Sequence, residues 1–215
     1  MINLNDIASG KLLSKLLTDC KAKNSSRYAL NSIGVDRSGI AATDGRCLVV
    51  VKYKACIEQV DLAEAKSMSL QGDILIDGTD LGRFPNYKDI MADHSKYVEG
   101  LRKVDIPIGN YTCKGKNLKK AIDSLMQDIT IEFKTIIDRI DYIDKQLHTI
   151  FSLQDNRSKL QSITLSNTGP KSPLNFTFTF NRFEIVYIVM PICGRKDDYT
   201  LGDDITPRQL MTEAV

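Results

Sequence analysis

From Leu4 to Cys20 the apolar side chains recur at 4, 7, 8, 12, 13, 16, 17 and 20, the period of a helix with one buried face; Asn3 or Asn5 is available to cap its start. The period then changes. Tyr28, Leu30 and Ile33, then Ile40, then Leu48 to Val51 are apolar runs broken by turn residues at Asp36 to Gly39 and Thr43 to Gly45. This predicts three short antiparallel strands. Asp44 and Gly45 tolerate left-handed backbone, so the second corner is tight and leaves Arg46 and Leu48 beside an exposed turn.

Further along, Ala55 to Ser69 is mixed and charged and reads as a loop or weak helix, and Asp73 to Asp77 alternates as a short strand. Within Thr79 to Asp93, Pro85 bars a regular ladder and sets Phe84 extended, so an extended approach followed by a helical turn is expected. His94 to Lys103 is a polar connector, and Val104 to Ile108 is strand-like. Lys114 to Gln127 predicts a second amphipathic helix. Leu118, Ala121, Ile122, Leu125 and Met126 form its buried stripe, with Lys116, Lys119 and Lys120 away from it or at its edge and Asp123 on that side. Ile129, Ile131 and Phe133 alternate as a strand.

Ile136, Ile140, Ile143, Leu147 and Ile150 step by four and three, which fits a helix with a narrow apolar seam; the β-branched run also fits a hairpin. Leu174, Phe176, Phe178 and Phe180 then alternate with Asn175, Thr177 and Thr179. After an Asn181-Arg182 turn, Phe183 to Ile192 is a long apolar strand. From Cys193 onward the chain is polar and charged, a mobile tail. Helix, strands, helix, strands is the order of an α+β fold, with expected domains at 1–95 and 96–192 and a tail at 193–215.

A chain of 215 residues with 42% hydrophobic content has material for one large domain or two small ones. No run approaches the roughly 20 apolar residues that span a bilayer, and the N-terminus lacks a secretory pattern, so a soluble cytoplasmic protein is expected. The five cysteines, Cys20, Cys47, Cys56, Cys113 and Cys193, are scattered and read as reduced thiols with no metal role. A formal charge of +2 leaves any nucleic-acid contact to the distribution of lysines.

Catalytic constellations are missing. The two histidines, His94 and His148, lie in charged surroundings without a nucleophile motif. Cys113-Lys114-Gly115-Lys116 is a basic turn and no phosphate-binding loop, and Asp197-Asp198 and Asp203-Asp204 sit in the polar tail. The expectation is a non-enzymatic protein without cofactors.

Three segments carry a family resemblance. RYALNSIGVD with ATDGRCLVV resembles the RYxLNG strand and ATDGHRL turn of the bacterial DNA polymerase beta-subunit sliding clamp, in its middle domain. GRFPNYKDI, from Gly82 to Ile90, resembles that family's GRFPDYRRV, and YIVMPI, from Tyr187 to Ile192, resembles its C-terminal YVVMPM strand. The segments follow in the family's order. The chain departs from it with Arg46-Cys47 in place of His-Arg, Lys88-Asp89 in place of two arginines, Cys193 in place of an arginine, the helical pattern near 136–151 and the C-terminal tail.

The resemblance implies domains with helices on one side of antiparallel sheets, and a DNA polymerase processivity factor: a ring-shaped sliding clamp around double-stranded DNA. It implies a hydrophobic groove that receives a short peptide, with a glutamine and apolar anchors, from DNA polymerase or other clamp-binding proteins. Carried over by position, the groove uses Thr43, Gly45, Arg46, Leu48, Pro85, Ile90, Ile188, Val189, Met190, Pro191 and Ile192. Lysines opposite the apolar helix stripes, Lys11, Lys15, Lys21, Lys23, Lys116, Lys119 and Lys120, would meet phosphates without reading bases. A two-domain chain would close the ring as a homo-oligomer of three copies, placed on DNA by a possible clamp loader. The alternative is a clamp-like adaptor that uses the same groove without encircling DNA.

Overall fold

The computed structural model describes residues 1–23, 30–37, 39–53, 66–77, 83–87, 102–106, 140–167 and 173–189. In chain order these contain β1 (Ile2–Asn3), a 3-10 turn (Leu4–Asp6), α1 (Gly10–Cys20), β2 (Ile33–Asp36), β3 (Gly39–Thr43) and β4 (Cys47–Tyr53). Then follow β5 (Lys66–Gln71), β6 (Ile74–Asp77), β7 (Arg102–Ile106), α2 (Ile140–Ser152), β8 (Leu160–Asn167), β9 (Leu174–Phe180) and β10 (Phe183–Val189). The fold is α+β.

The ten strands form one antiparallel sheet in the order β1-β6-β5-β2-β3-β4-β10-β9-β8-β7. At its centre β4 and β10 run antiparallel, pairing Cys47 with Val189, Val50 with Val186 and Tyr53 with Phe183. Residues on both sides of the expected boundary at 95 therefore share one sheet.

Alternation along the strands sorts side chains onto two faces. Toward the helices point Val49, Val51 and Tyr53 of β4, Ile185 and Tyr187 of β10, and the phenylalanines of β9; they pack with Leu13, Leu16, Leu17 and Cys20 of α1 and with Leu147, Ile150 and Phe151 of α2. Fully burying a side chain of this size stabilises the fold by about 1.5–3 kcal/mol. On the opposite face Ala41, Leu48, Val50, Val186 and Ile188 meet Phe84 and Tyr87 in a second, smaller cluster. Coverage of both faces explains why β4 reads as an unbroken apolar run.

Several expectations change. The helix begins at Gly10 and not at Leu4: the side chain of Asn3 accepts the Asn5 amide at 3.0 Å to cap a separate 3-10 turn, and Asn5 Oδ1 accepts the Gly10 amide at 3.0 Å. The loop or weak helix expected up to Ser69 gives way at Lys66 to β5, which pairs with β2 on one side and β6 on the other. The connector ends sooner, because Arg102 and Lys103 already belong to β7.

The seam around 140–150 is a helix, α2, and no hairpin. β8 is an unforeseen strand. The Asn181-Arg182 turn is as expected, and the Asn181 side chain ties it to the segment before β8 by accepting from the Lys159 amide and donating to Arg157 O. The helix expected over Lys114–Gln127, the strand at Ile129–Phe133 and the tail from Cys193 lie outside the described residues.

Candidate functional site

The β3–β4 corner is built by its own side chains. The Thr43 hydroxyl donates to Cys47 O at 2.6 Å and accepts the Gly45 amide at 3.1 Å, while Asp44 Oδ1 accepts the amides of Arg46 at 2.8 Å and Cys47 at 2.9 Å. Gly45 has φ +83°, a conformation that costs a residue with a Cβ. The result is a rigid turn with an exposed Arg46 at its tip and Leu48 entering the sheet.

Leu48 lies directly opposite Ile188, and Val50 opposite Val186, on the face away from the helices. Over them lies the segment 83–87. Phe84 and Tyr87 are 2% and 1% exposed, and their rings meet edge to face with centroids 6.3 Å apart. Tyr87 donates its hydroxyl to Asp36 Oδ1 at 2.7 Å, at the end of β2. Burial first, and this bond second, push the Tyr87 phenol well above its ordinary range, so it remains a protonated donor.

The three segments that carry the family resemblance thus converge on one face. Within them Thr43, Leu48 and Ile188 are buried, Gly45 and Pro85 are half-buried, and Arg46 is exposed. Leu48 and Ile188 form the floor beneath Phe84 and Tyr87 rather than an open wall. Val189 parts from the group: one position beyond Ile188 it alternates to the helix side and packs against the larger core. Ile90, Met190, Pro191 and Ile192 lie outside the described residues. Phe84, Tyr87, Asp36, Val50 and Val186 join the site unforeseen; the alternation of β4 and β10 carried the signal for the two valines.

On the other side of the sheet, α1 turns Leu13, Leu16, Leu17 and Cys20 inward and leaves Lys11, Lys15 and Thr18 exposed, with Lys23 exposed and Lys21 half-buried just beyond. Asp19 reaches across to Lys145 of α2, with Oδ2 3.0 Å from Nζ, which ties the two helices together. The exposed His148 stands on α2 as well. An open cleft of about 290 Å³ lies between α1 and the β5–β6 turn, lined by Ser14, Lys15, Thr18, Asp19, Leu70 and Gly72. The Ser14 hydroxyl donates to Gly72 O at 2.7 Å across it. Lys116, Lys119 and Lys120 lie outside the described residues.

Cys20 and Cys47 are buried neighbours between α1 and β4. Their mutual hydrogen bond, and then burial, hold the Cys20 thiol well above its usual range, so it is a packed, protonated group. Among the described residues no three His, Cys, Asp or Glu side chains are grouped to hold a metal ion, and no helix is long and apolar enough to cross a membrane.

No family model and no curated protein matches the chain. Solved structures do. The DNA polymerase III subunit beta from Pseudomonas aeruginosa is 12% identical over 86% of this chain and 66% of that one, with a TM-score of 0.47. The DNA polymerase sliding clamp from Bacillus subtilis is 13% identical over 90% and 64%, with a TM-score of 0.46. A DnaN sliding clamp from Bartonella birtlesii bound to griselimycin is 16% identical over 86% and 65%, with a TM-score of 0.41. The chain spans just under two thirds of the length of each of these proteins. The proteins it is similar to are DNA polymerase sliding clamps.

Proposed function

We propose that the chain is a DNA polymerase processivity factor, a ring-shaped clamp that encircles duplex DNA and holds a polymerase, or another peptide-bearing partner, on its outer face. The observation that carries this reading is the meeting of Leu48, Phe84, Tyr87 and Ile188 in one apolar cluster, on the side of the sheet away from the lysines of α1. A ring with that division has a protein-binding exterior and a cationic lining. Topological linkage needs only weak, salt-sensitive phosphate contacts, so the ring slides. A tethered polymerase then rebinds its primer end at an effective concentration that approaches millimolar.

In this reading no step is catalysed by the chain. It works in the cytoplasm, where a loader opens the ring. The test is retention on DNA: a ring stays on closed circular DNA and runs off when the circle is cut, and its mass in solution is that of three copies. Release that ignores the cut sinks the encircling reading.

One observation favours the second reading, a clamp-like adaptor that does not encircle DNA. Strands from either side of position 95 share a sheet through the pairing of β4 with β10, which supports counting the chain as one domain. A chain that counts as one domain supplies too little arc for a ring of three. A monomeric mass with intact peptide binding selects this reading.

A further inference from the structure

We infer that the Tyr87 hydroxyl, bonded to the Asp36 carboxylate, is a latch that holds residues 83–87 down on Leu48 and Ile188 and so fixes Pro85 as a wall against which a partner peptide binds. This rests on the peptide-binding reading above. Residues 83–86 have no regular secondary structure, and the segment reaches the sheet through two aromatic rings. Apolar contact is non-directional and tolerates sliding. A hydrogen bond to a carboxylate is directional, and one with an ionised partner is roughly twice as strong as a neutral one.

The acceptor is fixed in advance. Asp36 is 3% exposed, and the same Oδ1 accepts the Gly39 amide at 3.2 Å, which closes the β2–β3 turn. The carboxylate therefore holds its place whether or not Tyr87 is docked, and the phenol comes to it. Pro85 is half-buried and sits between the two anchors Phe84 and Tyr87. With both seated, the position of Pro85 is defined; with the hydroxyl removed, only ring packing defines it. Tyr87 and Asp36 are thus positioning residues for the wall of the groove.

The test compares the full chain with Tyr87→Phe and Asp36→Asn. Tyr87→Phe keeps the ring and removes the donor. Asp36→Asn keeps an oxygen acceptor for the two donors that converge on Oδ1. The probe is a short fluorescent peptide with a glutamine followed by leucine and phenylalanine, read by anisotropy and paired with amide hydrogen exchange.

Expected is a roughly tenfold weaker affinity for Tyr87→Phe, with faster exchange at Phe84, Asn86 and Tyr87 and unchanged exchange at Val50 and Val186. Asp36→Asn stays within about threefold of the unaltered chain. Equal or tighter binding by Tyr87→Phe, while the unaltered chain binds the probe, overturns the latch and leaves the groove standing. Faster exchange at Val50 and Val186 as well overturns it too, since the loss is then one of general stability. No binding by the unaltered chain overturns the groove reading and this inference with it.

Discussion

Phe84 takes up the room that a side chain at Gly34 would need: a Cβ built there falls 2.4 Å from Cδ1 and 2.7 Å from Cε1 of the ring. Glycine inside a strand ordinarily weakens it, because it gives up packing and chain entropy. In β2 it does something else. It admits an aromatic from a segment some fifty residues later in the chain, and residues 83–87 dock on the sheet at that point.

Gly34→Ala is accordingly expected to destabilise the fold by about 1–3 kcal/mol, the ordinary cost of overpacking a filled site. The gain from a stiffer unfolded chain, about 0.4–1 kcal/mol, offsets part of it. In a Phe84→Ala background the clash disappears, so the same substitution costs less there. A double-mutant cycle from urea melts should give a coupling of the two changes of about 1 kcal/mol or more. Far-UV circular dichroism is the probe, because the chain has no tryptophan. Additive effects would mean that Phe84 does not rest on Gly34.

The central strands were legible because their alternation and turn chemistry are local. Phe176, Phe178 and Phe180 announce β9, and Thr43-Asp44-Gly45 announces the corner before β4. β8 was hidden by an irregularity: the register shifts between Leu160 and Ser162, so Leu160 falls out of phase with Ile163 and Leu165, although all three face the same core. The start of α1 was hidden because Leu4, Ile7 and Ala8 are buried like helix residues while belonging to a 3-10 turn and its exit. In the site, the family resemblance of three short segments pointed to the pieces that converge. The parity that sends Val189 to the opposite face, and the docking of Phe84 on Gly34, depend on register and on distant parts of the chain.

Peptide binding is better probed at Arg46 than at Leu48. Leu48 is 3% exposed, and truncating it to alanine costs about 2–5 kcal/mol through a cavity under Phe84 and Tyr87, which confounds any affinity measured. Arg46 is exposed at the tip of a turn held by Asp44 and Thr43. Arg46→Ala should change stability by no more than about 0.5 kcal/mol and weaken the glutamine-containing probe several-fold. Titration by anisotropy beside a urea melt separates the two effects, and an unchanged affinity would remove Arg46 from the groove.

Charge reversal on α1 addresses the opposite face. Lys11 and Lys15 are exposed and project from the helix surface that Leu13, Leu16 and Leu17 leave to solvent. Replacing each with glutamate should weaken DNA association at every sequence alike. For each lysine that no longer neutralises a phosphate, the dependence of log affinity on log salt should flatten by about 0.9. Filter binding at several salt concentrations measures that slope, and a slope equal to that of the unaltered chain would remove Lys11 and Lys15 from the proposed DNA contact.

The Tyr87 phenol also predicts how stability falls in alkali. Its proton is held more tightly in the folded chain than in the unfolded one, because burial and the bond to Asp36 both disfavour the phenolate. Below the ordinary tyrosine value of about 10 both states are protonated and the contribution is complete. Above it the unfolded chain releases the proton first, so stability declines with rising pH by up to about 1.4 kcal/mol per unit from this residue. Tyr87→Phe has no proton to release and lacks that share of the slope. Urea melts at a series of pH values from neutral to strongly alkaline should therefore show the two chains converging in stability as pH rises, with the unaltered chain ahead at neutral pH. Parallel curves would mean that the hydroxyl is already open to water in the folded state and holds nothing in place.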